Sequence, residues 1–134
     1  MADDDTLTPS TPYALRDYIH YLAAGMAVMG SQAHAILTLP EKMRAAGFAD
    51  VRRTTHKCPV GVWARDKRMR FCGLFLRTAL MDGLRGLSRR PLTALGWTPV
   101  QIEIFLVEVR RALMEQGVHS YFTLNVVRGR KPVE

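Results

Sequence analysis

Three polar side chains that can exchange protons or hydrogen bonds alternate along the segment VHSYFTLNVV, residues 118–127. Successive side chains of a β-strand point to opposite faces, so His119, Tyr121 and Asn125 would share one face of a strand here. An imidazole and a phenol can donate or accept protons and can orient a polar group on a substrate. The pattern predicts His119 and Tyr121 as catalytic residues and Asn125 as a substrate-binding residue, with a structural role for the strand as the alternative.

Three further side chains are catalytic candidates on other elements. His56 lies on a predicted strand, residues 48–58, that we expect beside the last strand. His20 lies on an apolar helix, where a buried, hydrogen-bonded histidine is the alternative. Asp66 follows the turn PVGVW, where a helix cap is the alternative. For each of these residues the sequence leaves both roles open.

Large apolar side chains are the candidates for binding a substrate. Aromatic rings and thioethers line apolar pockets, although the same side chains also fill cores. The candidates of this kind are Tyr18, Met26, Trp63 and Trp97.

No metal site is predicted. Cys58 and Cys72 are the only two cysteines, with no second pair and no set of histidines at metal-binding spacing. A disulfide framework lacks support for the same reason, so we expect two reduced thiols inside the cell.

Hydrophobic periodicity and capping residues predict the elements that must position these side chains. The clearest helix follows Thr98, because Pro99 suits its first turn, Gln101 completes a capping box and Gly117 ends it. A shorter helix begins at Pro40 with Thr38 as its cap. The predicted elements are helices over 13–30, 40–46, 65–87 and 99–116, and strands over 48–58 and 118–129.

The helix over 99–116 carries more apolar surface than one core needs. Its core stripe includes Phe105 and Leu106, while Val100, Ile104 and Val107 widen the apolar surface beyond that stripe. The extra width indicates a surface for a partner.

Length and composition indicate one globular domain over 13–134, preceded by a flexible, acidic and polar segment over 1–12. The chain starts without the basic and apolar stretches of a signal peptide, and it has no apolar run long enough to span a membrane. We therefore expect a cytoplasmic protein with no membrane partner. The ends MADDDT and GRKPVE favour a complete small protein.

The formal charge of +7 raises the question of nucleic acid, because Lys and Arg that neutralise phosphates supply most non-specific affinity. The basic residues are scattered between apolar segments, without a zinc-finger or RNA-binding signature. We expect no nucleic-acid partner.

Four segments in this order resemble the C-terminal half of class I S-adenosylmethionine-dependent methyltransferases, most closely those of fungal secondary metabolism. They are AAGFADV, CPVGVWARDKRM, GLRGLSRRPLTALGWTPVQIEIFLVEVRRAL and VHSYFTLNVVRGRKP. The resemblance covers most of the chain. It implies a Rossmann-like fold whose last antiparallel strands and substrate-capping helices lie in this sequence.

The same resemblance draws attention to the cofactor site. That family binds its cofactor at a Gly-rich turn after the first strand and at an acidic residue after the next strand. The segment GMAVMG, residues 25–30, has loop-like spacing but lies at the end of a predicted helix. We therefore expect no cofactor on this chain.

These elements predict an α+β fold, a truncated methyltransferase C-terminal half with a few helices packed on a short antiparallel sheet. Two such strands alone leave an edge and a face uncovered. A twofold homodimer is the simplest way to cover this edge and this face, so we expect dimerisation to complete the fold.

Three function classes follow. The first is a cofactor-independent enzyme that cyclises or isomerises a small, largely apolar metabolite, because a cavity can hold a reactive conformer and place hydrogen-bond donors. The second is a non-catalytic subunit of a full-length methyltransferase or another regulatory partner. The third is one half of a split methyltransferase.

Overall fold

The computed structural model describes residues 12–132. Within that range the chain forms four α-helices, one short turn of 3-10 helix and two strands, an α+β architecture as predicted. The predicted flexible segment 1–12 lies outside the described residues except for Pro12. The elements in chain order are α1 (Ala14–Val28), the 3-10 turn (Ala35–Leu37), α2 (Leu39–Ala45), β1 (Ala49–Pro59), α3 (Lys67–Ala94), α4 (Pro99–Met114) and β2 (Tyr121–Arg130).

The two strands form one antiparallel ribbon, although α3 and α4 separate them in the chain. The register places Thr55 opposite Asn125 and His56 opposite Leu124. The pairing is irregular between Ala49 and Arg52, at the far end of the ribbon. The expectation that these strands are neighbours is confirmed.

The hydrophobic core lies between α1, α3 and α4. Leu84 and Leu92 of α3 and Leu106 and Val109 of α4 are fully buried, and Tyr18 of α1 is 1% exposed. A ribbon of two strands is too narrow to cover several helices, so the helices pack mainly against one another. Helices therefore pack on the sheet only at its two ends, with α3 against β1 beside the core and α2 against both strands near Gly129.

The end of the ribbon beside α3 joins the core through Val60 and Val118, which flank the strands, and through the partly buried Phe122. Gly73 of α3 lies against the backbone of Gly61, and the Gly61 N–H donates to the Gly73 carbonyl over 3.0 Å. The absence of a side chain at Gly73 thus allows α3 to approach the end of β1.

The helix ends agree with the sequence only in part. The capping box of α4 is confirmed, since the Gln101 N–H donates to Thr98 Oγ1 and the Thr98 N–H donates to Gln101 Oε1. The predicted Thr38 cap is wrong, because the Thr38 hydroxyl donates instead to the Ala35 carbonyl. Helix α3 runs past its expected end at 87 and includes the buried Pro91, whose backbone lies against Gly25 of α1.

No helix in residues 12–132 has both the length and the apolar character that crossing a bilayer requires.

Candidate functional site

The face predicted to carry His119, Tyr121 and Asn125, which we call the polar wall, begins with a ring stack between Trp63 and His119. The two rings lie 4.8 Å apart at 17° to one another. The Trp63 indole N–H donates to the Ser120 carbonyl over 3.0 Å, which fixes the indole against the start of β2. His119 itself precedes the strand, which begins at Tyr121 rather than at the expected residue 118. The stack nevertheless holds the imidazole in one orientation beside the ribbon.

Tyr121 and Asn125 continue this wall along the ribbon, and both are half-buried. The Lys57 ammonium lies 4.4 Å from the centre of the Tyr121 ring, a cation–π contact. The Thr55 hydroxyl donates to Asn125 Oδ1 over 2.9 Å. Alternation along the paired strands puts these four side chains on one face.

The structure does not bring His56 to this wall. His56 lies opposite Leu124, and directly opposed residues of an antiparallel pair share a face. Leu124 directly precedes Asn125 in β2, so its side chain leaves the face opposite to that of Tyr121 and Asn125. His56 shares this opposite face, where it is exposed. A shift of one residue in register would have reversed this result, and register is set by contacts distant in sequence.

Lys57 and Thr55 are the members of the wall that sequence reasoning missed. Their signal was present in the chain, because they stand two residues apart on the same face of β1. Only the register shows that this face meets Tyr121.

His20 and Asp66 lie away from the wall. His20 is exposed on α1 instead of being buried in an apolar environment. Asp66 is the N-cap of α3, and its carboxylate accepts the Met69 N–H over 2.9 Å. The cap that the sequence left open for Asp66 is the arrangement that the structure contains.

A second cluster forms a groove beside α4, which we call the aromatic groove. Its volume is about 490 Å³, and its lining residues are Gly96, Trp97, Gln101, Ile104, Phe105 and Glu108. The Trp97 ring lies 5.3 Å from the Phe105 ring and 5.0 Å from the Tyr21 ring. Tyr21 and Phe105 also meet edge to face at 5.7 Å. Edge contacts of this kind keep aromatic side chains in place.

The aromatic groove has an apolar floor and a polar rim. Gln101 uses its side-chain oxygen to cap α4, and the Glu108 carboxylate pairs with Arg111 over 2.7 Å. Ile104 is 64% exposed at the mouth. An apolar floor with a few polar groups at the rim suits a small, largely apolar molecule with one or two polar substituents.

The predicted substrate-binding residues therefore divide between different places. Trp97 lines the aromatic groove and Trp63 belongs to the polar wall. Tyr18 is buried in the core, where it is hydrogen-bonded to Ser88, and burial raises the pKa of its phenol despite the opposing effect of that bond. Met26 is half-buried on α1.

Phe105 lines the groove, although sequence reasoning did not select it for binding. It was assigned to the core stripe of its helix, and it does contact the core as a partly buried residue. Tyr21 of α1 is not a lining residue, but its ring contacts both the Trp97 and the Phe105 rings. Helical periodicity alone missed the groove because the groove lies between α4 and the turn before it.

The thiols and acidic groups form no metal centre in the described part of the chain. Both cysteines are free. Burial, followed by the nearby Cys72, raises the pKa of the Cys58 thiol. A raised pKa lowers the fraction of reactive thiolate, so Cys58 is poorly suited to act as a nucleophile.

Comparison with known proteins places this chain beside methyltransferases of fungi. Methyltransferase pytC of Aspergillus terreus is 27% identical over 132 residues, and the alignment covers 98% of this chain. A probable methyltransferase, tdiE of Emericella nidulans, is 28% identical over 132 residues and 98% of this chain. The secondary metabolism regulator LAE1 of Cochliobolus heterostrophus is 28% identical over 136 residues and 97% of this chain.

The resemblance to proteins of fungal secondary metabolism is thus confirmed over nearly all of the chain. The chain spans only 40–42% of the length of these curated relatives. No protein-family model matches the chain. No solved structure is significantly similar to it.

Proposed function

We propose that this chain forms the metabolite-binding part of a methyltransferase-like enzyme of fungal secondary metabolism. The aromatic groove is the observation that carries the proposal, because Trp97, Phe105 and Ile104 offer an apolar surface with Gln101 and Glu108 at its rim. The metabolite would be small and largely apolar, with a polar group held at the rim.

The similarity to curated proteins supports the methyltransferase part of this proposal. Two of the matched proteins are named as a methyltransferase and a probable methyltransferase, and each alignment includes both the groove and the ribbon. We extend this similarity to the class I, S-adenosylmethionine-dependent type, on the order of the four segments quoted above.

The described residues do not fit S-adenosylmethionine themselves. Among residues 12–132, β1 is the strand that leads into a helix, and the connection over 60–66 contains a single glycine, Gly61. The N–H of Gly61 is already bonded to Gly73 rather than open to a ligand. The family's cofactor turn needs several small residues and free backbone groups. In this proposal another part of the fold therefore holds the methyl donor, and no step on this chain is assigned to it.

Binding to the groove can be measured with single-tryptophan variants and cinnamyl alcohol as an apolar probe. Trp63→Phe leaves Trp97 as the only indole, and Trp97→Phe leaves Trp63. We expect a saturable change in emission from Trp97, because the probe displaces water from its ring, and little change from Trp63.

A matched pair of variants locates the probe. Ile104→Asp puts a charge at the mouth of the groove and should weaken binding about tenfold or more, since a charge opposes an apolar ligand. Phe75→Asp adds the same charge on α3 at a position that is 71% exposed and outside the lining, so affinity should stay near its starting value. A response without saturation, or equal weakening by both variants, would overturn the groove as the binding site.

A second candidate is the cofactor-independent cyclase or isomerase, with the polar wall as its catalytic surface. The observation in its favour is the imidazole of His119, oriented by its stack on Trp63 just before the strand that carries the Tyr121 phenol. Such donors can stabilise charge that develops during a rearrangement.

Tyr121→Phe is the cleanest test of this candidate, because it keeps the ring beneath Lys57 and removes only the hydroxyl. If the phenol acts in the transition state, turnover of the metabolite without added cofactor should fall by about ten- to a thousandfold at an unchanged melting temperature. His119→Ala should lower turnover by a similar factor, but it also removes the ring stack between His119 and Trp63. Unchanged turnover with lowered stability would assign both residues to the fold. The two other function classes, a non-catalytic subunit and one half of a split methyltransferase, each require a partner chain, and they remain predictions.

A further inference from the structure

The end of the ribbon farthest from the core contains a depression that neither the groove nor the polar wall uses. Its volume is about 300 Å³. We call it the arginine pocket; its lining residues are Asp50, Arg52, Arg128, Gly129 and Arg130.

Two of these arginines oppose each other directly. Arg52 of β1 pairs with Arg128 of β2 in the register, so their side chains leave the same face of the ribbon. Like charges directly opposite one another on a sheet are destabilising. No carboxylate of residues 12–132 lies within ion-pair distance of either guanidinium. The sheet therefore contains a repulsion that a bound anion would relieve.

The third arginine is held in position by a distorted segment of β1. Asp50 has a φ of 50°, in the left-handed region that residues other than glycine rarely adopt, and it lies within the register irregularity. A bulge of this kind redirects side chains, and such distortions cluster at binding sites. The redirected Asp50 carboxylate binds the Arg130 guanidinium over 3.0 Å. Arg130 is thereby oriented beside Arg128 on the same face.

The charge balance of the pocket favours an anion. Three guanidinium groups against one carboxylate leave a local charge of 3 − 1 = +2. Planar guanidinium groups recognise phosphate oxygens through paired hydrogen bonds. We propose that the arginine pocket binds the phosphate group of a phosphate ester, with Arg52 and Arg128 as the direct ligands and Arg130 as a supporting charge.

Calorimetric titration with pyrophosphate at low ionic strength tests this proposal on the whole chain. The double variant Arg52→Gln with Arg128→Gln removes both direct ligands, and we expect its affinity to fall about tenfold or more. Arg89→Gln with Arg90→Gln is the matched control, since it removes the same charge from exposed positions of α3. The control should retain most of the affinity of the unaltered chain. Circular dichroism confirms that each variant folds.

Two further titrations separate the sources of a phosphate ester. Adenosine monophosphate represents soluble esters, and vesicles that contain phosphatidic acid represent lipid headgroups. Binding of either probe that is lost only in the Arg52 and Arg128 variant supports the site and identifies its source. Absence of saturable pyrophosphate binding would overturn the proposal. Equal loss of affinity in both double variants would overturn it too, because that result assigns binding to net charge alone.

Discussion

At the scale of single residues, burial and one hydrogen bond define the environment of Tyr18. Its ring is 1% exposed, and its hydroxyl lies 3.2 Å from Ser88 Oγ. Desolvation raises the pKa of the phenol above its ordinary value of 10.0, while the bond with Ser88 acts in the opposite direction. The sequence proposed Tyr18 for substrate binding, and the structure places it in the core, because helix packing decides which face of α1 is covered.

This shift predicts a loss of stability in alkali that Tyr18→Phe should reduce. The unfolded chain ionises the phenol first as the pH rises past its ordinary value, so unfolding becomes easier from there up to the raised pKa of the folded state. Below that range the phenol is neutral in both states and adds no pH dependence. The free energy of unfolding, measured with urea, should fall less between about pH 9 and about pH 11 in Tyr18→Phe than in the unaltered chain. Parallel declines would contradict the account.

The two thiols should differ in their reactivity toward iodoacetamide. Cys72 is exposed, whereas Cys58 is half-buried and has a raised pKa. Alkylation proceeds through the thiolate, so peptide mass spectrometry at about pH 8 should show modification of Cys72 before Cys58. Cys72→Ser should quicken modification of Cys58 modestly, because it removes the nearby charge. Faster modification of Cys58 in the unaltered chain would refute this order.

At the scale of elements, features set by residues close in sequence could be predicted, whereas features set by pairing between distant residues could not. The capping box at Thr98 and Gln101 depends on residues three positions apart, so the sequence revealed it in full. The placement of His56 depends on its pairing with Leu124, far along the chain, and local pattern cannot fix that register. Strand register also explains why only the structure, and not the sequence, places Lys57 in the polar wall.

Two glycines of α3 should respond to the same substitution with opposite signs. A Cβ at Gly73 would overlap the Gly61 carbonyl and would lie 3.2 Å from the Pro59 carbonyl oxygen. Gly73→Ala should therefore destabilise the fold by about 1–3 kcal/mol through overpacking. A Cβ at Gly86 meets no atom within 4 Å, so Gly86→Ala should stabilise α3 by about 0.5–1 kcal/mol. Unfolding free energies from urea titration decide this, and a Gly73→Ala variant as stable as the unaltered chain would show that α3 does not meet the end of β1 as described.

At the scale of the whole molecule, the α+β class followed from the order of the predicted elements. The location of the core did not, because Leu84, Leu106 and Tyr18 come together only when α1, α3 and α4 pack. Both candidate sites also depend on contacts between elements that are distant in sequence. The aromatic groove needs α1 beside α4, and the polar wall needs β1 beside β2.

The expected homodimer is a prediction about the outer surface of α4. Val100, Ile104 and Val107 are 68%, 64% and 43% exposed, and apolar side chains of this size on one helix are typical of an interface. Sedimentation at about tens of micromolar should give a dimer mass, and Val107→Asp should shift it toward the monomer, because a buried unpaired charge is costly. A monomer mass for the unaltered chain would contradict the prediction.

Metabolite binding in the aromatic groove is tested most directly by an amide NMR titration of the unaltered chain with cinnamyl alcohol. The proposed function predicts saturable shifts that are largest at Gly96, Gln101 and Ile104, with small shifts at Tyr121 and Asn125 on the ribbon. Shifts centred on the ribbon, or no saturable shifts, would contradict it.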